Sequence, residues 1–287
     1  METVMGSAKL AAVYHMLFLF QVILFPAYLV DGRTIAGNDE RIAGGRYALP
    51  GEFPYQVSIG YINPETNTYA HLCGGSILDK HHVLTAAYCG EVFENGEQEW
   101  IVVAGALNLT DLTEKNRVEL PVVQVYVHEN FTYANYRNDI TLIRVDGEFP
   151  LDGKFISTIP LRNVTLNPPA ECTVSGWGIF SSEMKISEVL KELDLPVVPQ
   201  EDCVKSYEDA PLHIFPGMLC TGSVGGGPSP CLEDTGGPLV CEGQLTGVFS
   251  WSILCYDAFA PSVNTDVAYY KDWIQETLAK SIKDGGL

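Results

Sequence analysis

The sequence predicts an all-β protein whose strands close into barrels or pack as a sandwich, followed by one helix at the C-terminal end. From Tyr47 onward, short apolar runs recur among Gly, Pro and Asn, such as Gln56 to Ile59, Gly75 to Leu78, Trp100 to Ala104, Val122 to Val127 and Ile140 to Val145. Runs this short and this regularly spaced fit half-buried strands in a closed or stacked sheet. At the end of the chain, Val267, Tyr270, Ile274, Leu278 and Ile282 recur at helical spacing behind Asp266, which is expected to cap the helix. No repeat of solenoid period and no low-complexity tract competes with this reading.

The 287 residues, 46% hydrophobic and 18% charged, suffice for one large β unit or two modest domains. Acidic residues outnumber basic ones 36 to 17, a net charge of −19, which argues against nucleic acid and anionic membrane surfaces as partners. Solubility, or a cationic partner, fits better. Leu10 to Val30 carry no charge and Lys9 is the one cation ahead of them, as in a secretory signal. The run is long enough to span a bilayer, so a retained anchor is the alternative; His15, Gln21 and Pro26 weaken it. A start at Met16 would leave a more compact signal. The expected organisation is residues 1–30 signal, 31–41 a short activation peptide with no room for an accessory domain, and 42–287 the folded domain.

All eight cysteines, Cys73, Cys89, Cys172, Cys203, Cys220, Cys231, Cys241 and Cys255, follow the apolar segment. An even number behind an export signal reads as four disulfides in an oxidising compartment, although about a hundred pairings are open. No C-x-x-C pair suggests zinc, no calcium loop is evident, and no metal or cofactor is expected. Asn108, Asn130 and Asn163 begin glycosylation sequons that would mark exposed surface in an exported chain.

Chemistry concentrates in Cys231-Leu-Glu-Asp-Thr-Gly-Gly-Pro238. This stretch resembles the nucleophile loop of the trypsin-like serine endopeptidases, Gly-Asp-Ser-Gly-Gly-Pro: Asp234, Gly236, Gly237 and Pro238 agree, while Glu233 and Thr235 do not. A hydroxyl nucleophile needs a bonded general base and backbone N–H groups for the oxyanion. Thr235 keeps a hydroxyl on a stiff, crowded side chain, and Glu233 brings a carboxylate to where negative charge would develop. Leu72-Cys-Gly-Gly-Ser-Ile-Leu78 and Val83-Leu-Thr-Ala-Ala-Tyr-Cys89 resemble the strand and turn that carry the family's general base, here Tyr88. A phenol of pKa near 10 stays protonated at neutrality and cannot take the nucleophile's proton as imidazole does. His81 and His82 lie upstream on the preceding strand and are poor replacements. Asn138-Asp-Ile-Thr-Leu-Ile143 resembles the segment whose aspartate orients the base, so Asp139 is expected to accept the Tyr88 phenolic hydroxyl.

Asp39-Glu-Arg-Ile-Ala-Gly-Gly45 resembles the family's activation site, with Phe53-Pro-Tyr-Gln-Val-Ser-Ile59 at the family's distance behind it. The resemblance implies cleavage after Arg41 by a trypsin-type protease and pairing of the new Ile42 terminus with Asp234. It implies disulfides Cys73–Cys89, Cys172–Cys241, Cys203–Cys220 and Cys231–Cys255, and two antiparallel six-stranded barrels, roughly residues 42–150 and 151–287, with the boundary near 146–155. Val174-Ser-Gly-Trp-Gly178 and Gly247-Val-Phe-Ser-Trp-Ser252 extend it to residues 42–283. Ser229 falls at the floor of the primary specificity pocket, where trypsins carry Asp, and Ser252 and Ser262 replace glycines in its walls, so a narrowed slot with no preference for positive charge is expected.

Base, nucleophile, oxyanion neighbour and pocket walls all depart from the pattern together. The expected protein is a secreted, non-catalytic homologue of these proteases, regulatory or binding, with other secreted proteins, such as members of a protease cascade, as partners and no membrane contact once processed. The rivals are an endopeptidase using Thr235 with an unconventional base, and a membrane-tethered adhesion or decoy protein.

Overall fold

The computed structural model describes residues 45–95, 98–178, 186–224, 229–231, 233–253 and 260–286. The apolar segment, Arg41, Ile42 and Cys255 lie outside them.

Six antiparallel strands close the first barrel: β2 (Gln56–Asn63), β3 (Thr68–Ile77), β4 (His82–Thr85), β5 (Trp100–Ala104), β6 (Val118–Val127) and β7 (Thr141–Val145), in the order β2-β3-β4-β7-β6-β5. Strand β6 alternates between more and less buried positions, as one solvated face requires. Strand β4 and the first five residues of β2 are buried on both faces. On one face of these strands Val57, Ile59 and Val83 pack with Val102 and Ile143, and Leu84 and Leu142 are buried on the other. On the other side of β2, the Gln56 amide oxygen accepts from Ser175 Oγ at 2.7 Å, across to the second sheet.

That sheet holds β8 (Glu171–Gly176), β9 (Lys191–Pro196), β10 (Met218–Thr221), β11 (Pro238–Cys241), β12 (Gln244–Trp251) and β13 (Ser262–Asp266). The two-residue strand β1 (Arg46–Tyr47) adds to its edge as a seventh, pairing with Glu192 and Lys191, in the order β1-β9-β8-β11-β12-β13-β10. The last strand of the barrel ends at Val145 and β8 begins at Glu171. Cys73–Cys89, Cys172–Cys241 and Cys203–Cys220 are bonded as the resemblance implied. Cys231 is also disulfide-bonded, its expected partner lying outside the described residues.

Helices α1 (Ala87–Asn95) and α2 (Gln200–Ser206) are short, and α3 (Lys271–Gly285) is the expected C-terminal helix. Asp266 does not cap it. Its carboxylate accepts the Ala268 N–H at 3.0 Å in the turn that leads out of β13, and the helix begins after Tyr270. The buried face of α3 is Ile274, Thr277 and Ser281, so Ile282 turns outward, 42% exposed.

Polar groups on that face explain how α3 is held. His82 is buried at the start of β4, its Nδ1 lying 2.8 Å from Asp79 and its Nε2 2.9 Å from Ser281 Oγ. Ser281 is fully buried, so this Ser-His-Asp chain is a structural clasp with no access for a substrate. Ser281→Ala leaves Nε2 without its hydrogen-bond partner in the interior and is expected to cost about 1–3 kcal/mol. Urea unfolding checks it; an unchanged midpoint would mean the clasp adds nothing.

Among the described residues, no helix is long and apolar enough to cross a membrane, and no His, Cys, Asp and Glu cluster is placed to hold a metal ion.

Candidate functional site

Strand ends and turns from both halves of the chain bring Tyr88, Asp139, Glu233, Asp234 and Thr235 to one region. Tyr88 lies in the first turn of α1, Asp139 just before β7, and Glu233 to Thr235 in the turn before β11. The Thr235 carbonyl accepts the Gly74 N–H at 2.9 Å, which fixes this turn to β3 of the barrel. Gly236 has φ +84°, and a Cβ there would come within 2.1 Å of Thr85 Oγ1, so the glycine of the motif is required by close approach.

Asp139 is buried and does not hold the Tyr88 phenol, contrary to expectation. Its carboxylate accepts the Tyr88 backbone N–H at 2.8 Å and the Ser250 hydroxyl. The backbone of Ala87 also donates to it. The physical reason is the helix: the first N–H groups of α1 have no partner within it, and a carboxylate at its positive end satisfies them. Burial still pushes the Asp139 carboxyl up to about 6, the hydroxyl and the N–H donors offsetting only part of that cost. The Tyr88 ring instead packs edge-on to Tyr133, centroids 6.2 Å apart. Burial first, then the carboxylates of Asp139 and Glu233, raise the phenol above its ordinary range, which keeps it protonated.

Thr235 Oγ1 donates to the Ser250 carbonyl at 3.4 Å, so Ser250 touches both Asp139 and Thr235. Among the described residues, no histidine is hydrogen-bonded to Thr235 or Asp139. His82 is committed to its clasp, and His81 Nδ1 lies 2.8 Å from the Gly147 carbonyl.

His71, which the sequence did not single out, reaches the turn from β3. Its Nε2 lies 2.9 Å from the Glu233 carbonyl oxygen and its Nδ1 2.7 Å from Ser58 Oγ, which in turn lies 2.7 Å from the Tyr69 hydroxyl. A carbonyl only accepts, so Nε2 carries the proton. Burial lowers the ring to about 4, so it is neutral and Nδ1 accepts from Ser58. The order of donation is then Tyr69 to Ser58 to His71 to Glu233.

That relay holds Glu233 at φ +72°, a left-handed conformation costly for a residue with a Cβ. Burial pushes the Glu233 carboxyl up to about 7, and its Oε2 is buried without a hydrogen-bond partner. Asp234 accepts N–H bonds from Gly178 at 2.8 Å and Cys231 at 3.1 Å. Burial raises it to about 7; those N–H groups and the charge of Lys191 lower it, while Glu233 adds to the rise.

At the predicted pocket, Ser229 Oγ and Ser262 Oγ lie 2.7 Å apart and Ser252 Oγ donates to the Pro230 carbonyl at 3.3 Å. Ser262 is buried. The sequon residues Asn130 and Asn163 are exposed, whereas Asn108 is half-buried and accepts from the Thr110 N–H at 2.8 Å.

The trypsin family model matches residues 42–274, most of the described fold and every residue of this site. The chain belongs to the trypsin family. It is 35% identical over 247 residues to anionic trypsin of Canis lupus familiaris, covering 86% of this chain and 93% of that one. It is 34% identical to trypsin of Sus scrofa, over 84% of this chain and 97% of the other. Trypsin eta of Drosophila melanogaster is 36% identical, over 83% and 89%. Within the family fold, Ser250 and His71 are the site residues that sequence reasoning missed. Ser250 stands in the quoted Val-Phe-Ser-Trp segment, but only its contacts give it a role; nothing local marks His71.

Proposed function

We infer that this member of the trypsin family is non-catalytic and acts as an exported binding or regulatory protein. One observation carries the reading: the residue in line for the general base is Tyr88, whose phenol stays protonated and whose ring packs on Tyr133. The hydroxyl that would attack, on Thr235, donates to a carbonyl, which cannot take its proton away. Loss of one triad member already lowers turnover by several orders of magnitude. The half-buried carboxyl of Glu233 beside Thr235 would repel the charge an oxyanion hole is built to receive.

The uncharged segment Leu10 to Val30 and the disulfides support export; the exposed Asn130 and Asn163 would then accept glycans, and a trypsin-type protease would cut after Arg41. The relatives carry the name trypsin, so the rival reading is a working endopeptidase built on Thr235. Protein cleaved after Arg41 is expected to leave peptide esters intact and to remain unlabelled by a fluorophosphonate. Turnover that Thr235→Ala abolishes would establish the rival.

A further inference from the structure

One inward position of the second sheet carries a charge. Strands β8 and β9 pair Cys172 with Leu195, Val174 with Leu193 and Gly176 with Lys191, and the first two pairs belong to the core. Directly opposed residues of an antiparallel pair share a face, so the Lys191 stem continues that inner face, and Lys191 is only 7% exposed. On its other side Lys191 is opposed to Tyr47 of β1, and its Nζ lies 4.9 Å from the centre of that ring. Toward β8 it meets no opposing side chain, because a Cβ on Gly176 would stand 2.0 Å from Asp234 Oδ1. The Asp234 carboxylate takes the place of the side chain that would face Lys191. Cβ atoms of opposed residues are about 4.5–5.5 Å apart, which puts the Lys191 Cβ within about 7.5 Å of Asp234 Oδ1, a gap that the rest of an extended lysine side chain spans. Each group already acts on the other: Lys191 lowers the proton affinity of Asp234 and Asp234 raises that of Lys191, against burial, which is the larger influence on both. The other groups acting on Asp234 are the Gly178 and Cys231 N–H donors and the like charge of Glu233.

We propose that Lys191 is the internal counter-cation of Asp234 in the chain not cut after Arg41: its ammonium turns from the Tyr47 ring to the carboxylate and fixes the turn before β11 before any new terminus exists. The Tyr47 ring is 54% exposed, and a cation held over such a ring gains little, whereas a charge-assisted bond to a buried carboxylate is among the stronger hydrogen bonds. Lys191 is thus a positioning residue that acts through Asp234, and it has this role whether or not Thr235 reacts. Cleavage then exchanges one cation for another at the same carboxylate.

Urea unfolding of the uncut chain between about pH 4 and 8 tests this. A carboxyl raised by burial contributes fully below its unfolded pKa and loses that contribution as pH rises through the folded one, so stability falls across the window. Lys191→Met keeps an unbranched stem and removes the charge. It should raise the proton affinity of Asp234 about tenfold and deepen the fall in the folding constant about fivefold by pH 8. In an Asp234→Asn background the same substitution should leave the pH profile unaltered. Each protein is compared with its own value at the acid end, so a uniform gain or loss of stability on replacing a buried lysine does not enter. Equal falls for wild type and Lys191→Met overturn the proposal, and so does a deeper fall that persists with Asp234→Asn.

Discussion

With Tyr88 changed to histidine and Thr235 to serine, the chain is expected to hydrolyse peptide esters weakly, and adding Glu233→Gly should raise kcat/KM by a further 100- to 1000-fold or so. The orienting carboxylate is already in place. Asp139 takes the Ser250 hydroxyl and backbone N–H groups of α1, and two carboxylate oxygens retain room for an imidazole N–H. Restoring base and nucleophile therefore restores a proton path. It does not repair the oxyanion neighbourhood. Glu233 sits at φ +72° with its carbonyl fixed by His71 and its half-buried carboxyl on the residue two before Thr235. Glycine tolerates that backbone, removes the repelling group and lets the peptide reorient. Ser252 and Ser262, expected to narrow the specificity pocket, are unchanged, so even the triple variant should remain slow. Ester kinetics on the double and triple variants decide it. A double variant as fast as the triple would show that Glu233 is not the obstacle, and an inert triple variant would move the defect to the pocket.

The sequence reading succeeded where information was local and failed where partners were remote. Short apolar runs among Gly, Pro and Asn located β2, β5, β6 and β7, although only β6 alternates, the others being buried on both faces over most of their length. Helical spacing found α3 but misplaced its start, since Asp266 also suits the turn after β13 and spacing cannot separate the two. Tyr88, Asp139 and Thr235 were found through fixed motifs, yet the expected phenol bond was wrong because Ala87 and Tyr88 open a helix whose N–H groups claim the carboxylate first. Ser250 lies 111 residues from Asp139 and His71 lies 162 from Glu233. No local pattern records such pairs; they arise only when β3, β12 and the turn before β11 come together.

Cleavage after Arg41 is expected to raise the melting temperature of the folded domain, most strongly near neutral pH, and Asp234→Asn should remove most of that gain. Before the new Ile42 terminus docks, Asp234 is a buried carboxyl held by two N–H groups, and its proton affinity is raised to about pKa 7 from 3.8. A folded pKa above the unfolded one gives a contribution fully present below about pH 4 and lost as pH rises through about 7, worth about 1.4 kcal/mol for each tenfold in proton affinity. Uncleaved protein should thus lose stability across that window. Asp234→Asn should flatten its part of the slope, leaving the share of Glu233, also raised to about 7. An ammonium brought to Asp234 reverses the sign. The carboxyl is then depressed, so its contribution holds above the unfolded pKa and fails as pH falls through the lowered value. The amino group, unfolded near 7.7–8.0, is raised, so its contribution is full below that range and fades as pH climbs through the folded value. The gain from cleavage therefore spans the interval in which uncleaved protein weakens. Breaking such a buried pair costs roughly 3–5 kcal/mol, because the remaining charge is stranded. Thermal unfolding of uncleaved, cleaved and Asp234→Asn protein between pH 4 and 9 or so measures this. Superimposable profiles for uncleaved and cleaved protein would mean that Ile42 never reaches Asp234, and that Arg41 marks a loop rather than a switch.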